Sequence, residues 1–216
     1  MTATRTRYTD SRVLGARALA WWKVHGDPER GDPGARARLR RCRSAAQATE
    51  ERAAVDLAQR FEALRPDAPD DDRLVLVALD LARVLAHVKS HDDDRRPMQA
   101  AGWKKFHADT RESDAGRDRP KLGEVRFRRL LATEPGEPLV REFVRLVALL
   151  DGKVDVAELA RDFVDWSGDD AERRERVRRR WAFDYFHASP AAPPDPAELS
   201  PDAPTPDSPD AEDAAR

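Results

Sequence analysis

RLVLVALDLARVLAHVKSH, residues 73–91, is the stretch on which the fold turns. Leu74, Val75, Leu76, Val77, Leu79, Leu81, Val84, Leu85 and Val88 occupy nearly every side of the helix this stretch would form. A helix apolar all round has to be covered by others, which makes it a central core element rather than a surface helix. Its neighbours must then supply the cover, and their apolar spacing shows that they do.

Upstream, Leu14, Ala18, Trp21 and Trp22 keep an i, i+4, i+7, i+8 stripe over Ser11–Val24, with Asp10 or Ser11 available as the cap. Two adjacent tryptophans are not expected to point straight into one core together. Residues Gly31–Gly34 read as a turn, and Ala35–Ala48 as one basic helix, with Leu39 and Cys42 on a packing face and Arg36, Arg40 and Arg43 on another. Ala53–Leu64 repeats the pattern through Val55, Leu57, Phe61 and Leu64, up to the break at Pro66–Pro69. Downstream, Asp92–Pro120 is rich in Asp, Arg, Lys and Gly, so it reads as a long connection holding the aromatic island Trp103–Phe106. Four helices follow: Gly123–Ala132, then Leu139 to Leu150 ending at Asp151-Gly152, then one opened by Asp155 and Glu158, and one opened by Asp169 and Glu172. Both acid pairs have capping-box spacing. No period-two run is long enough for a strand, and no internal repeat stands out.

The expected fold class is therefore all-α, a helical bundle in two subdomains: a flexible N-terminus at 1–10, N-terminal helices over 11–115 and C-terminal helices over 120–187. Residues 188–216 form a tail. Eight of the 16 prolines lie between Ser189 and Arg216, where Leu199 is the one large apolar residue, so disorder is expected there. That tail holds seven acids and one base, a net −6; with the whole chain at −2, the body carries +4. The acidity suits a solubilising tail first, and a weak competitor for the protein's own basic face second.

Other bulk features narrow the function. Charged residues make up 37% and only 10 glycines are present, which favours helices with heavily solvated faces. The single Cys42 leaves no internal disulfide or cysteine-cluster metal site and suits a reducing compartment, so a cytoplasmic protein is expected. Val13–Val24 is too short for a membrane span and is interrupted by Arg17 and Lys23, so neither a signal peptide nor a membrane helix is expected.

Little catalytic chemistry can be assembled. His87 and His91 stand i, i+4 ahead of Asp92, Asp93 and Asp94, but without a glutamate between them a structural role outweighs a metal site. Asp151-Gly-Lys-Val-Asp155 puts lysine where a calcium loop needs an oxygen, and reads as a turn. Phosphate-binding loop, nucleophile-elbow and dinucleotide motifs are absent, so no cofactor and no enzyme activity is expected. Three arginine clusters remain: Arg36–Arg43, Arg126–Arg129 and Arg173–Arg180. A planar guanidinium on a rigid helix suits bidentate contact with phosphate, whereas the plainer reading makes these solvated faces or partners of acids such as Glu172 and Glu175.

The C-terminal half resembles a known family. Lys121-Leu-Gly-Glu-Val-Arg-Phe-Arg-Arg-Leu-Leu131 is similar to the arginine-phenylalanine helix of CasB proteins, the small subunit of the type I-E CRISPR Cascade complex. Val177-Arg-Arg-Arg-Trp-Ala-Phe-Asp-Tyr-Phe186 resembles their closing helix, with Trp166 ahead of it, and looser agreement extends from Ser11 to His187. Gly123 stands where many relatives have serine, and Asp92–Pro120 diverges. The resemblance implies a non-enzymatic subunit, present as a pair of copies, that contacts the guide-RNA backbone subunits and the large subunit. It also implies a grip on crRNA and target DNA through their phosphate backbone, helping to hold the displaced strand of the R-loop in antiviral defence. Such a helper needs charge and shape only, because base pairing with the guide reads the sequence. The expected nucleic-acid contacts are Arg36, Arg40, Arg41, Lys89, Arg126, Arg129, Arg173, Arg174 and Arg178, and the expected core includes Trp21, Phe127, Phe143, Trp166 and Trp181. A helical protein–protein adaptor whose arginines meet acidic partners is the alternative.

Overall fold

In the computed structural model the described residues are 10–61, 72–102 and 120–186. The N-terminal elements are α1 (Ser11–His25), α2 (Pro33–Arg41), α3 (Ala45–Ala48), α4 (Arg52–Arg60), α5 (Asp72–Leu85), the two-residue strand β1 (Ser90–His91) and α6 (Pro97–Ala101). The C-terminal elements are α7 (Glu124–Leu131), α8 (Glu137–Leu149), the strand β2 (Lys153–Val154), α9 (Val156–Ser167) and α10 (Ala171–Phe186). The all-α class read from the sequence is the observed one. The tail at 188–216, the island Trp103–Phe106, the last residues of the helix expected to reach Leu64, and the boundary at residue 115 lie outside the described residues.

Helix α5 is the hub, packed against α2, α3, α4, α8 and α9. Leu74, Val77, Leu79, Leu81, Val84 and Leu85 are buried, each contributing about 1.5–3 kcal/mol relative to exposure. Its cover is incomplete on one side, where Leu76 stays 48% exposed. The helix also stops at Leu85, earlier than its apolar pattern, because the chain there turns into β1. That strand pairs in parallel with β2, Ser90 opposite Lys153 and His91 opposite Val154. The Lys89 and Ser90 amides both donate to the Gly152 carbonyl, at 2.8 and 3.1 Å. The turn feeding β2 needs left-handed backbone at Asp151 (φ 60°) and Gly152 (φ 78°), and a Cβ on Gly152 would sit 2.7 Å from Lys89 Cγ. Asp151-Gly152 is thus a turn, as its sequence reads, and glycine is the residue that both the backbone and the space allow.

Helix α1 lies against α9 more closely than against any other element, because Gly15 removes a side chain at the crossing: a Cβ there would meet the Ala157 carbonyl oxygen at 2.5 Å. Against expectation, Trp21 and Trp22 are both buried, at 0% and 3% exposure. They succeed because α1 has neighbours on several sides, α9, α4 and α2, so residues about 100° apart each find cover. The Trp21 indole N–H donates to the Ala53 carbonyl at 2.7 Å. In the C-terminal half Phe143 meets Phe163, Trp166 and Trp181 at ring-centroid distances of 5.1, 6.0 and 5.3 Å. Trp21, Phe127, Phe143, Trp166 and Trp181 are each at most 1% exposed, and the buried apolar residues of both halves join one core.

Local signals account for most boundaries. Asp10 caps α1 by accepting from the Arg12 amide, which frees Ser11 to donate to Asp165 at 3.0 Å. Asp155 caps α9 through the Glu158 amide. At α10 the cap is Asp170, which accepts from the Glu172 and Arg173 amides, while Asp169 pairs with Arg73 at 2.9 Å. The expected helix Ala35–Ala48 is two helices: Ser44 caps α3 through the Gln47 amide, Gln47 Oε1 accepts from the Arg43 amide, and the carbonyl of Cys42 accepts from buried Arg83. That carbonyl would bond within a continuous helix; Arg83 takes it instead.

Candidate nucleic-acid interface

Helix α8 carries apolar Leu139, Phe143, Leu146 and Val147 inward, and on its outer side Arg141 and Arg145 one turn apart. Two clefts flank that outer side. The first, between α7 and α8, has a volume of about 490 Å³, a floor that includes Leu122, Leu130, Leu146 and Leu149, and Arg126, Arg129 and Arg145 around Glu142. The second, about 360 Å³, lies between α2 and α8 and is lined by Arg40, Arg43, Arg83, His87, Arg141 and Arg145, among others. Arg145 lines both, so the two clefts adjoin on either side of it. Their walls hold seven arginines (Arg40, Arg43, Arg83, Arg126, Arg129, Arg141, Arg145) against two glutamates, Glu137 and Glu142.

Some of this charge is neutralised. Arg83, 5% exposed, makes two bonds to the Glu137 carboxylate at 2.8 and 3.1 Å and one to Asp80 at 2.8 Å. Its partners hold its guanidinium pKa up despite burial. Arg145 pairs with Glu142, and Arg129 reaches the same carboxylate at 3.9 Å. Among the described residues Arg40, Arg43, Arg126 and Arg141 have no acidic partner. The excess registers on titratable neighbours: His87 is held down at about 4, first by burial and then by Arg40, Arg36 and Arg83. Arg36 is likewise lowered, by burial and by Arg40.

The expected contact residues separate into groups. Arg36 and Arg40 each donate through Nε to the Ala86 carbonyl, at 3.0 and 2.8 Å, which seats α2 on the end of α5 without consuming their charge. Arg41 is exposed at the end of α2, and Arg126 and Arg129 are exposed on α7. Lys89 is exposed at a third cleft, beside Lys23, Arg30 and Trp22. Arg173, Arg174 and Arg178 of α10 line neither of the adjoining clefts. Arg174 donates to the carbonyls of Trp166 and Gly168 at 3.1 and 2.9 Å, and Arg178 to that of Thr133 at 3.1 Å, with its guanidinium 5.5 Å from the Trp166 ring centre. Arg173 pairs with Asp170 at 3.2 Å. Further along α10, Arg180 and the Trp181 indole N–H (2.6 Å) hold Asp162, which is 1% exposed and whose carboxyl burial pushes up.

Arg141 and Arg145 enter the site without having been singled out from the sequence, and Arg43, read there as part of the Arg36–Arg43 cluster, joins the expected contacts. Arg141 and Arg145 are separated by three residues and form no run, but their i, i+4 spacing opposite Leu139, Phe143 and Leu146 is a usable signal. The metal reading loses its geometry: α5 ends before His87, His87 faces the second cleft, and His91 Nδ1 accepts from the Val156 amide at 3.3 Å. Asp92, Asp93 and Asp94 bring carboxylate oxygens within 4.8 Å of one another, the one such cluster among the described residues.

An all-α protein with arginine-lined clefts along one helix is the class that fold and surface define. The family described as CRISPR-associated protein Cse2 matches residues 35–186, 152 of the 216 residues, and the chain belongs to that family, the structural small subunits of CRISPR Cascade. That match runs from within α2 to the end of α10 and agrees with the CasB resemblance read from the arginine-phenylalanine and closing helices. No curated protein and no solved structure matches the chain. No helix among the described residues is long and apolar enough to cross a membrane.

Proposed function

We propose that this Cascade subunit grips the phosphate backbone of crRNA and target DNA along the two adjoining clefts, and so stabilises the R-loop and its displaced strand in the cytoplasm during antiviral defence. One observation carries the reading: arginines outnumber acids seven to two along a path that runs from α7 across α8 to α2. A backbone binder needs such charge on rigid elements, without base-reading groups. In this reading Arg36, Arg40, Arg41, Arg126 and Arg129 work together with Arg43, Arg141 and Arg145, Lys89 extends the surface, and Arg173, Arg174 and Arg178 contribute field more than contact.

The large subunit, the backbone subunits and a second copy of the chain are the protein partners of this reading. Exposed apolar side chains support them: Val125 is 83%, Phe183 73% and Phe186 43% exposed. The same residues favour the second reading, an adaptor that touches no nucleic acid.

The experiment is binding to unspecific single strands and duplexes across a salt series. Replacing Arg43, Arg126, Arg129 and Arg141 by alanine is expected to leave the melting temperature in place and to flatten the slope of log affinity against log salt by about 3, because each lost phosphate contact releases about 0.7–0.9 fewer counterions. A variant with undiminished affinity and slope overturns the proposal in favour of the adaptor.

A further inference from the structure

The first cleft combines features that a plain phosphate track does not require. Its floor is aliphatic, with Leu122, Leu130 and Leu146, while Arg126, Arg129 and Arg145 line its sides against one acid, Glu142. Such a groove matches an acidic segment that also carries an apolar side chain. The chain supplies one. Residues 187–216 hold seven acids against Arg216, and their one large apolar residue, Leu199, directly follows an acid, Glu198.

Position favours the same match. Helix α10 ends at Phe186 beside the groove: the Tyr185 hydroxyl donates to the Leu122 carbonyl at 2.7 Å, and the Phe186 ring lies 5.6 Å from that of Phe127 on α7. Leu122 is itself a groove residue. Leu199 follows Phe186 by 13 residues, a reach of up to about 45 Å at full extension. Tethering at such a distance gives an effective concentration on the order of 1 mM, so even a contact of about 0.1 mM intrinsic affinity would occupy the groove most of the time.

We propose that the acidic segment 195–213 docks in the α7–α8 groove of its own chain, Leu199 on the leucine floor and its carboxylates on Arg126, Arg129 and Arg145, and that nucleic acid displaces it. The docked segment holds these arginines back from weak, unspecific strands. Strands presented in the correct frame, with further contacts along α8 and α2, compete successfully. The consequence for binding rests on the nucleic-acid reading above; the docking itself does not.

The test uses the full chain in three forms: wild type, a neutralised form (Asp195, Asp202, Asp207, Asp210 and Asp213 to Asn, Glu198 and Glu212 to Gln), and Leu199→Ser. Without nucleic acid, the methyl resonances of Leu130 and Leu146 are expected to shift in both variants. With a short single strand at low salt, the neutralised form is expected to bind about tenfold more tightly than wild type, the factor set by an effective concentration ten times the docking constant. That gain is expected to vanish when Arg126, Arg129 and Arg145 are alanine. Unmoved methyl resonances overturn the docking, as does a gain that survives loss of the three arginines, which marks the segment as a diffuse charge only. Methyl shifts that depend on protein concentration and ignore the segment assign the groove to a second copy, and also overturn it. If no form binds strands, the nucleic-acid reading fails alone, while the methyl resonances still decide the docking.

Discussion

Residues 36–43 and 173–180 carry arginine at similar density, five and six in eight positions, and as sequence they are alike. In the fold they do different things. On and just after α2, Arg38 pairs with Glu51 at 2.7 Å, while Arg36, Arg40, Arg41 and Arg43 have no carboxylate partner among the described residues, and two of them share one carbonyl. On α10, Arg173, Arg174, Arg176, Arg178 and Arg180 each reach an acid, supplied by α9, by the capping Asp170, by Glu134 in the α7–α8 turn, or by α10 itself. The first set is mostly charge left available; in the second, Arg173, Arg174, Arg178 and Arg180 tie the last helix to the bundle, while Arg176 pairs within α10 and Arg179 has no carboxylate partner among the described residues. An arginine run therefore does not declare its role. The elements packed against it decide, according to whether they bring acids and orphan carbonyls.

The comparison is broken most forcefully at Asp162. Alanine there leaves Arg180 and the Trp181 indole without their shared partner, and unfolding by denaturant is expected to show a loss of about 3–5 kcal/mol. A variant as stable as wild type would mean that α10 is held by its apolar face alone. Next comes Arg174→Ala with Arg178→Ala, which strips donors from the carbonyls of Trp166, Gly168 and Thr133. About 2–3 kcal/mol is expected to be lost, at roughly 1 kcal/mol per bond, against less than about 0.5 kcal/mol for Arg41→Ala with Arg43→Ala on the exposed set. Equal losses from the two pairs would erase the distinction.

A third effect is a pH dependence. His87 titrates near 4 in the fold and near 6.5 when unfolded, so the unfolded chain takes up its proton first. Its contribution to stability is complete above pH 6.5 and is lost as pH falls from 6.5 toward 4. Denaturant midpoints measured over that window should decline, and His87→Gln should flatten the decline. Phosphate placed among Arg36, Arg40 and Arg83 would oppose the same field, so bound nucleic acid is expected to raise the His87 pKa.

Much of the fold was legible because burial writes a period into the chain. The stripes through Leu14–Trp22, Leu139–Leu150 and Val156–Trp166 each became a helix with the expected face inward. The break at Cys42 was half legible: Ser44 and Gln47 form a start signal, but the Arg83 bond to the Cys42 carbonyl joins residues 41 apart and leaves no local trace. β1 and β2 are two residues each, too short to show alternation. The site was less legible than the fold. Runs drew attention to α10, whose acids lie elsewhere in the chain, whereas the exposed pair Arg141 and Arg145 on α8 marks its cleft only once α2 and α7 are seen on either side.

The contact between Gly15 and Ala157 also sets an order of events during synthesis. The two residues are 142 positions apart, so at about 5–20 residues per second α1 leaves the ribosome roughly 7–28 s before the helix it packs against. Throughout that interval Leu14, Ala18 and the tryptophan pair have no α9 to cover them. Helix α1 has α2 and α4 beside it early but waits for α9, and a chaperone that holds apolar segments has that interval in which to act.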